Sequence, residues 1–329
     1  MFLIIWQFVL STILLRITSM AERIRLTIIV PIIKADKTID SCLLSILGQV
    51  AINDFEVVCA PVKDNEESTR RILDAWIKRD RRVKLLPSES SVVDAMNKAL
   101  HCANGTLIMF MRQSDVLSST SNLLKLFAGA LRGNPDLCIL AQELRQTADF
   151  LWEQPAFIRP QAGQYFKLID NKSPRSREKI LLSFPPVPWG NLYRKAFIDE
   201  QGIEFSTETV LSDLQFYVTS VLKASRIYVS SLSIISFSES LDYFSADQDE
   251  CLKTNECIKQ ILNEKLVQVK SAHIAASVIS LYRAYLTISK GRITSSSPLS
   301  PLYISPVRNS MTWKERTYKI LTDLRALLK

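Results

Sequence analysis

Two stretches of this 329-residue chain set polar side chains where chemistry could be done. In the first, Ser91-Val-Val-Asp-Ala-Met-Asn-Lys-Ala-Leu reads as a short helix that ends before Asn104-Gly105. Leu107 to Met111 then reads as an apolar strand, and it stops at the polar cluster Arg112-Gln-Ser-Asp115. In an open α/β sheet, ligands sit at the carboxyl ends of strands. A guanidinium at such a place can hold a phosphate through two parallel hydrogen bonds, and a carboxylate can accept a proton. In the second stretch, Asp213 stands at the start of a helix, where it can be a base or simply a cap. Each residue has such a duller role: Asp94 and Asn97 as first-turn helix residues, Asp115 as a cap, Trp189 as core, and Arg112 in a surface ion pair worth little.

The elements that would position these groups alternate. Leu26 to Ile33 is a continuous apolar, β-branched run, the pattern of a strand buried on both faces. Thr38 to Leu47 follows helical spacing, with Ile39, Cys42, Leu43, Ile46 and Leu47 on one face and Gly48 as a stop. Phe55 to Ala60 is a second strand, Glu66 to Arg79 a helix capped by Asp64 or Asn65, and Val83 to Leu86 a short strand. A helix is expected over Val92 to Ala103 and another from Asn122 to about Arg132, with a strand over Leu137 to Leu144. Thr147 to Pro188 is polar and proline-bearing, and such a long irregular stretch is expected to be a functional loop or lid. Asn191 to Gly202 reads as a helix and turn, Leu214 to Ala224 as a helix, and Arg226 to Phe237 as a strand. Strands alternating with helices of this length predict α/β architecture with a doubly wound, mostly parallel sheet.

Composition narrows the partners. With 47% hydrophobic residues and 22% charged ones, the chain can bury a full core. A net charge of +8 favours polyanions: nucleotide phosphates, an acidic membrane surface or nucleic acid. No nucleic-acid motif is present, so nucleic acid is set aside. The six cysteines lie among apolar neighbours with no pair at zinc-ligand spacing, and they read as reduced, buried thiols. Two histidines, His101 and His273, give a histidine metal site or a Ser-His-Asp triad little material. Eight glycines without a Gly-x-Gly-x-x-Gly turn argue against a Rossmann dehydrogenase, and a Walker loop is absent.

Asp94-Ala-Met-Asn97-Lys98 and Asn104 to Asp115 together resemble the "DAMNKG…GxYxxFLDSDD" region of family-two glycosyltransferases, which move a sugar from a nucleotide diphosphate to an acceptor hydroxyl. The resemblance extends over about Leu26 to Phe237. Leu26 to Pro31 is similar to the opening "VSVIIPVYN" strand. Asp54-Phe-Glu-Val-Val is similar to "DFEIIVVDDGSTD", with Pro61 and Val62 where two base-contacting aspartates belong and Asp64 the nearest carboxylate left. Pro188 to Phe197 is similar to the acceptor-side "xWNKLYRRxF" segment, and Phe205 to Phe216 to "RFxxxxxxEDxxF".

The resemblance implies a GT-A (nucleotide-diphospho-sugar transferase) fold and an inverting transferase of hexosyl type. Asp213 is the implied general base, with Ser212 in place of the neighbouring Glu. Donor-side residues implied are Pro31, Asp64, Asp94, Asn97, Lys98, Arg112, Ser114 and Asp115, and the acceptor-side residues are Trp189 and Asn191. The family's two metal-binding carboxylates fall on Arg112 and Ser114. A divalent Mn or Mg cofactor is therefore implied by the family but left with Asp115 alone. Arg112 then either replaces the metal's charge at the diphosphate or marks a catalytically impaired protein that serves as a binding or scaffold partner.

The expected domain organisation is an apolar segment over 1–22, the transferase domain over 23–240, a helical C-terminal extension over 241–294, a Ser/Pro linker over 295–312 and a basic amphipathic helix over 313–329. Its nearly all-apolar run, Met1 to Leu15, is shorter than the ~20 residues of a spanning helix. The first segment can be an anchor, a packed helix or upstream sequence before Met20, and the last is preferred because the recognisable domain starts near Arg23. The final helix gathers Trp313, Ile320, Leu321, Leu324, Leu327 and Leu328 opposite Lys and Arg residues, which suits an anionic membrane surface or the protein's own core. The expected partners are a nucleotide-sugar donor and a polysaccharide or lipid-linked acceptor of the cell envelope, met in the cytoplasm at the inner face of the membrane.

Overall fold

The computed structural model describes residues 24–33, 37–63, 66–130, 133–144, 166–207, 211–237 and Val278. The expected segment over 1–22, the cap at Asp64 or Asn65, the linker and the final helix lie outside the described residues.

Apolar runs form the middle of the sheet. Strands β1 (Leu26–Ile32) and β2 (Phe55–Pro61) are buried along their whole length, as is β4 (Leu107–Phe110). The short β3 (Val83–Leu85) lies at the edge beside β2. These four strands run parallel in the order β3-β2-β1-β4, so their carboxyl ends open on one side. The helices between them fall where the spacing predicts. Helix α1 (Thr38–Leu47) buries Ile39, Cys42, Leu43 and Ile46, the i, i+3, i+4, i+7 stripe of an amphipathic helix. Helix α2 (Glu66–Arg79) turns Leu73 and Trp76 inward, and the Trp76 indole N–H donates to Asp40 of α1 at 2.7 Å. Helix α3 (Val92–Cys102) starts at Ser91, whose hydroxyl oxygen accepts the Asp94 N–H, and it buries Ala95, Met96, Ala99 and Leu100.

Past β4 the sheet becomes mixed. The three-residue β8 (Leu192–Arg194) inserts antiparallel between β4 and β6 (Leu137–Leu144). The long β9 (Arg226–Phe237) runs parallel to β6 and receives β5 (Val116–Leu117) and β7 (Phe166–Asp170), both antiparallel. Helix α4 (Asn122–Ala130) packs Leu123, Leu126 and Phe127 into the core. Helix α5 (Pro174–Leu181) begins with Ser173 as cap and Pro174 in its first turn. Helices α6 (Lys195–Gln201) and α7 (Ser212–Lys223) complete the described elements.

Two sequence expectations need correction. The polar stretch 147–188 is not all irregular, because β7 and α5 occupy 166–170 and 174–181. Residues 191–202 are not one helix, because β8 precedes α6. Both misses have one cause: a short strand is specified by distant partners (Ser230 to Arg226 for β7, Met109 to Leu107 for β8) and carries little periodicity of its own. From the expected extension over 241–294 a single residue is described, Val278, which is helical, fully buried and part of the core cluster.

Candidate active site

The end of β4 is built as a closed turn. The Asp115 N–H donates to the Arg112 carbonyl at 3.0 Å. In return, Asp115 Oδ2 accepts the Arg112 backbone N–H at 3.0 Å and its Nε at 3.2 Å. The side chains of this ion pair are 3% and 0% exposed, so the pair is buried and not the surface contact expected from sequence. Between them, Gln113 is fully buried. Its Oε1 accepts the Ile33 N–H at 2.8 Å and its Nε2 reaches Thr38 Oγ1 at 3.4 Å, fastening the β1–α1 connection to this turn. The Ser114 hydroxyl is buried with no hydrogen-bond partner among the described residues. Beneath the turn, the Cys42 thiol points at the Arg112 carbonyl at 3.6 Å. Burial, with Asp115 and Cys59 nearby, pushes that thiol well up, so it stays protonated.

On the neighbouring α3, Asp94 Oδ2 accepts the Ser91 hydroxyl at 2.6 Å. Asn97 faces elsewhere: its Nδ2 donates to the Phe205 carbonyl at 2.8 Å, and its Oδ1 accepts the Phe205 N–H at 2.8 Å. Lys98 pairs with Glu89, whose backbone bridges to Val62 at the end of β2. Pro31 is buried within β1, level with Ala60 of β2. Asp64 lies outside the described residues.

Aromatic packing carries α3 through to α7. The Phe205 ring stacks on Phe216 at 4.2 Å between centroids and 12° between planes. Both meet Phe110 edge-on at 5.3 Å, and Tyr193 closes the cluster at 5.4 Å from Phe216 and 5.6 Å from Phe110. Edge-to-face and offset contacts of this kind add roughly 0.5–1.5 kcal/mol per pair beyond burial. Phe110 lies two residues before Arg112, and Phe216 three after Asp213. The cluster therefore ties the β4 turn to the first turn of α7. There Asp213 is 2% exposed and its Oδ1 accepts the Leu214 N–H at 2.8 Å. Leu211 is the cap residue, so Asp213 stands inside the helix, where the N-terminal backbone dipoles favour a negative charge.

Trp189 and Asn191 belong to the same wall. Trp189 is 2% exposed and bridges to Phe110, and the following Gly190 adopts φ 75°, a left-handed conformation that suits glycine, while its N–H donates to the Phe110 carbonyl. Asn191 is fully buried: its Nδ2 donates to the Val187 carbonyl at 2.9 Å, and its Oδ1 accepts the Leu140 N–H at 3.2 Å. The structure thus brings Asn97, Asp213 and the Arg112–Asp115 turn onto one aromatic cluster. It also shows Asn97 and Asn191 satisfied within the fold. The aromatic cluster itself was missed from sequence; its signal was Phe205 and Phe216 at either end of one motif, eleven residues apart.

The fit to a divalent metal is poor. Such ions take several oxygen ligands, mostly carboxylates. Here one of the implied ligand positions is a guanidinium and another a neutral hydroxyl, while the remaining carboxylate is buried against that guanidinium. Among the described residues no group of three or more His, Cys, Asp or Glu side chains could hold a metal ion.

Known structures share this arrangement of elements. Residues 1–349 of TarS from S. aureus, in complex with UDP-GlcNAc, match with a TM-score of 0.60 and 18% identity over 92% of this chain and 90% of that one. The mannosyltransferase PcManGT from Pyrobaculum calidifontis, in complex with GDP-Man and Mn2+, matches with a TM-score of 0.52 and 13% identity over 92% of this chain and 86% of that one. A comparison with curated proteins gave no significant match. The family model "Glycosyl transferase family 2" matches residues 27–201, more than half of the 329 residues. With the α/β sheet just described, that match makes the chain a GT-A-fold member of glycosyl transferase family 2.

Proposed function

We propose that the chain moves a hexosyl group from a nucleotide-diphosphate donor to a hydroxyl of a polysaccharide or lipid-linked acceptor, with inversion at the anomeric carbon. Asp213 takes the acceptor proton as that oxygen attacks. The bond between the anomeric carbon and the diphosphate breaks in the same displacement, and the nucleoside diphosphate leaves with the electron pair. A carboxylate suits the role because it can accept a proton and the helix N-terminus favours its charged form. Donor-side residues are Pro31, Asp64, Asp94, Lys98 and the turn Arg112–Ser114–Asp115, positioned through Asn97. Trp189 and Asn191 form the acceptor-side wall. The observation that supports this reading best is the single aromatic cluster joining the β4 turn, the Phe205 segment held by Asn97 and the Asp213 helix.

The test is Asp213→Asn, which keeps size and loses the base. Turnover is expected to fall about 10²–10⁴-fold while nucleotide affinity stays. NMR of the wild-type product should show the anomer opposite to the donor. Transfer undiminished in Asp213→Asn sinks the base assignment. A wild type that binds nucleotide but never turns over would favour the scaffold role.

Among the described residues no helix is long and apolar enough to cross a membrane. We place the protein at the inner membrane face through its basic amphipathic segment 313–329, which brings it to an envelope acceptor.

A further inference from the structure

The turn at the end of β4 carries its own cation. The hydrogen bonds described at residues 112–115 are internal to the protein: Asp115 to the Arg112 carbonyl, Arg112 N–H and Nε to Asp115, Gln113 to Ile33 and Thr38, and the Cys42 thiol to the Arg112 carbonyl. The Asp115 carboxylate is fully buried, and its counter-charge is a guanidinium that is itself 97% buried. A divalent ion entering here would have to displace that guanidinium from the Asp115 carboxylate, breaking a buried ion pair. The neighbouring Ser114 offers a neutral oxygen in place of a charged one.

We propose that Arg112 takes the place of the divalent cation in this turn. It neutralises Asp115 from within and fixes the loop, so nucleotide binds without added metal. The nucleotide part rests on the transferase reading above, whereas the absence of a cation at Asp115 does not.

Two measurements on the full chain separate them. In the first, Mn2+ is titrated by electron paramagnetic resonance without nucleotide. The wild type should sequester no more ion than Asp115→Asn does. In the second, UDP and GDP are titrated calorimetrically in EDTA and in Mn2+. Either nucleotide that binds should do so with Kd values within about twofold of each other. The double variant Arg112→Asp with Ser114→Asp restores alternating carboxylates. It is expected to take up Mn2+ and to tighten nucleotide by about tenfold or more with the ion present. Sequestration of Mn2+ by the wild type that Asp115→Asn abolishes would overturn the proposal, and so would a tenfold gain in wild-type nucleotide affinity on adding Mn2+. Binding of neither nucleotide under either condition counts against the transferase reading, and the resonance titration then decides the cation by itself. The wild-type arms stand whether or not the double variant folds.

Discussion

Asn97 shows how little a side chain's role can be read from its neighbours in the chain. Its amide makes two hydrogen bonds to the backbone of Phe205, 108 residues away, and so positions the loop that leads to Asp213. Replacing it with Ala leaves the Phe205 N–H and carbonyl without those partners. Each uncompensated buried group costs about 1–3 kcal/mol, so Asn97→Ala should lower stability by about that much or somewhat more in denaturant unfolding, with a parallel fall in kcat. A loss below a few tenths of a kcal/mol would mean water replaces both bonds. Asp94, Asn97, Trp189 and Asp213 could be singled out from sequence because they follow the family's motif order. Their partners were not, since Asn97 to Phe205 and Asn191 to Leu140 are joined only by the fold.

At the scale of elements, a buried carboxylate at the opposite end of the sheet holds four segments together. Glu56 of β2 pairs with Lys84 of β3, accepts the Thr27 hydroxyl of β1 at 2.7 Å, and accepts the Asn104 N–H at 2.8 Å. Thr27 Oγ1 in turn accepts the Gly105 N–H at 2.8 Å. Only glycine fits there, because a Cβ on residue 105 would lie 2.3 Å from the Thr27 nitrogen. Burial alone would raise the Glu56 pKa, but Lys84, Asn104 and Thr27 together hold it below the usual carboxylate range. The unfolded chain then binds this proton more readily than the folded one. The network's contribution is full above the ordinary glutamate value of about 4.3 and is lost as pH falls through the lower folded value. Urea unfolding between about pH 6 and pH 3 should therefore show an acid-side loss of stability that Glu56→Gln flattens; equal slopes in both proteins would remove Glu56 as its source. Helices α1, α2 and α3 and strands β1, β2 and β4 were legible because each buries a stripe or a continuous run. The two- and three-residue strands β5 and β8 were not, since pairing alone defines them.

Over the whole molecule, charge and burial divide the labour. The net charge of +8 favours anionic partners, as the proposed nucleotide donor and membrane surface both are. The proposed contact through 313–329 is checked by deleting Met311 to Lys329 and sedimenting the protein with vesicles rich in an anionic lipid. The fraction bound should fall several-fold in moderate salt; an unchanged fraction sinks the membrane role. What sequence could not supply at this scale is the order β3-β2-β1-β4-β8-β6-β9-β5, because the switch to antiparallel neighbours depends on which edge each late strand meets.

The family match ends at residue 201 and the last described strand at 237, yet Val278 sits at 0% exposure among the same apolar side chains. A fragment truncated after β9 would keep every glycosyltransferase motif quoted above and still be left with an unfilled socket. A fragment meant to fold as the full chain does is therefore expected to run past that valine, and shorter ones should unfold at lower urea for want of that packing.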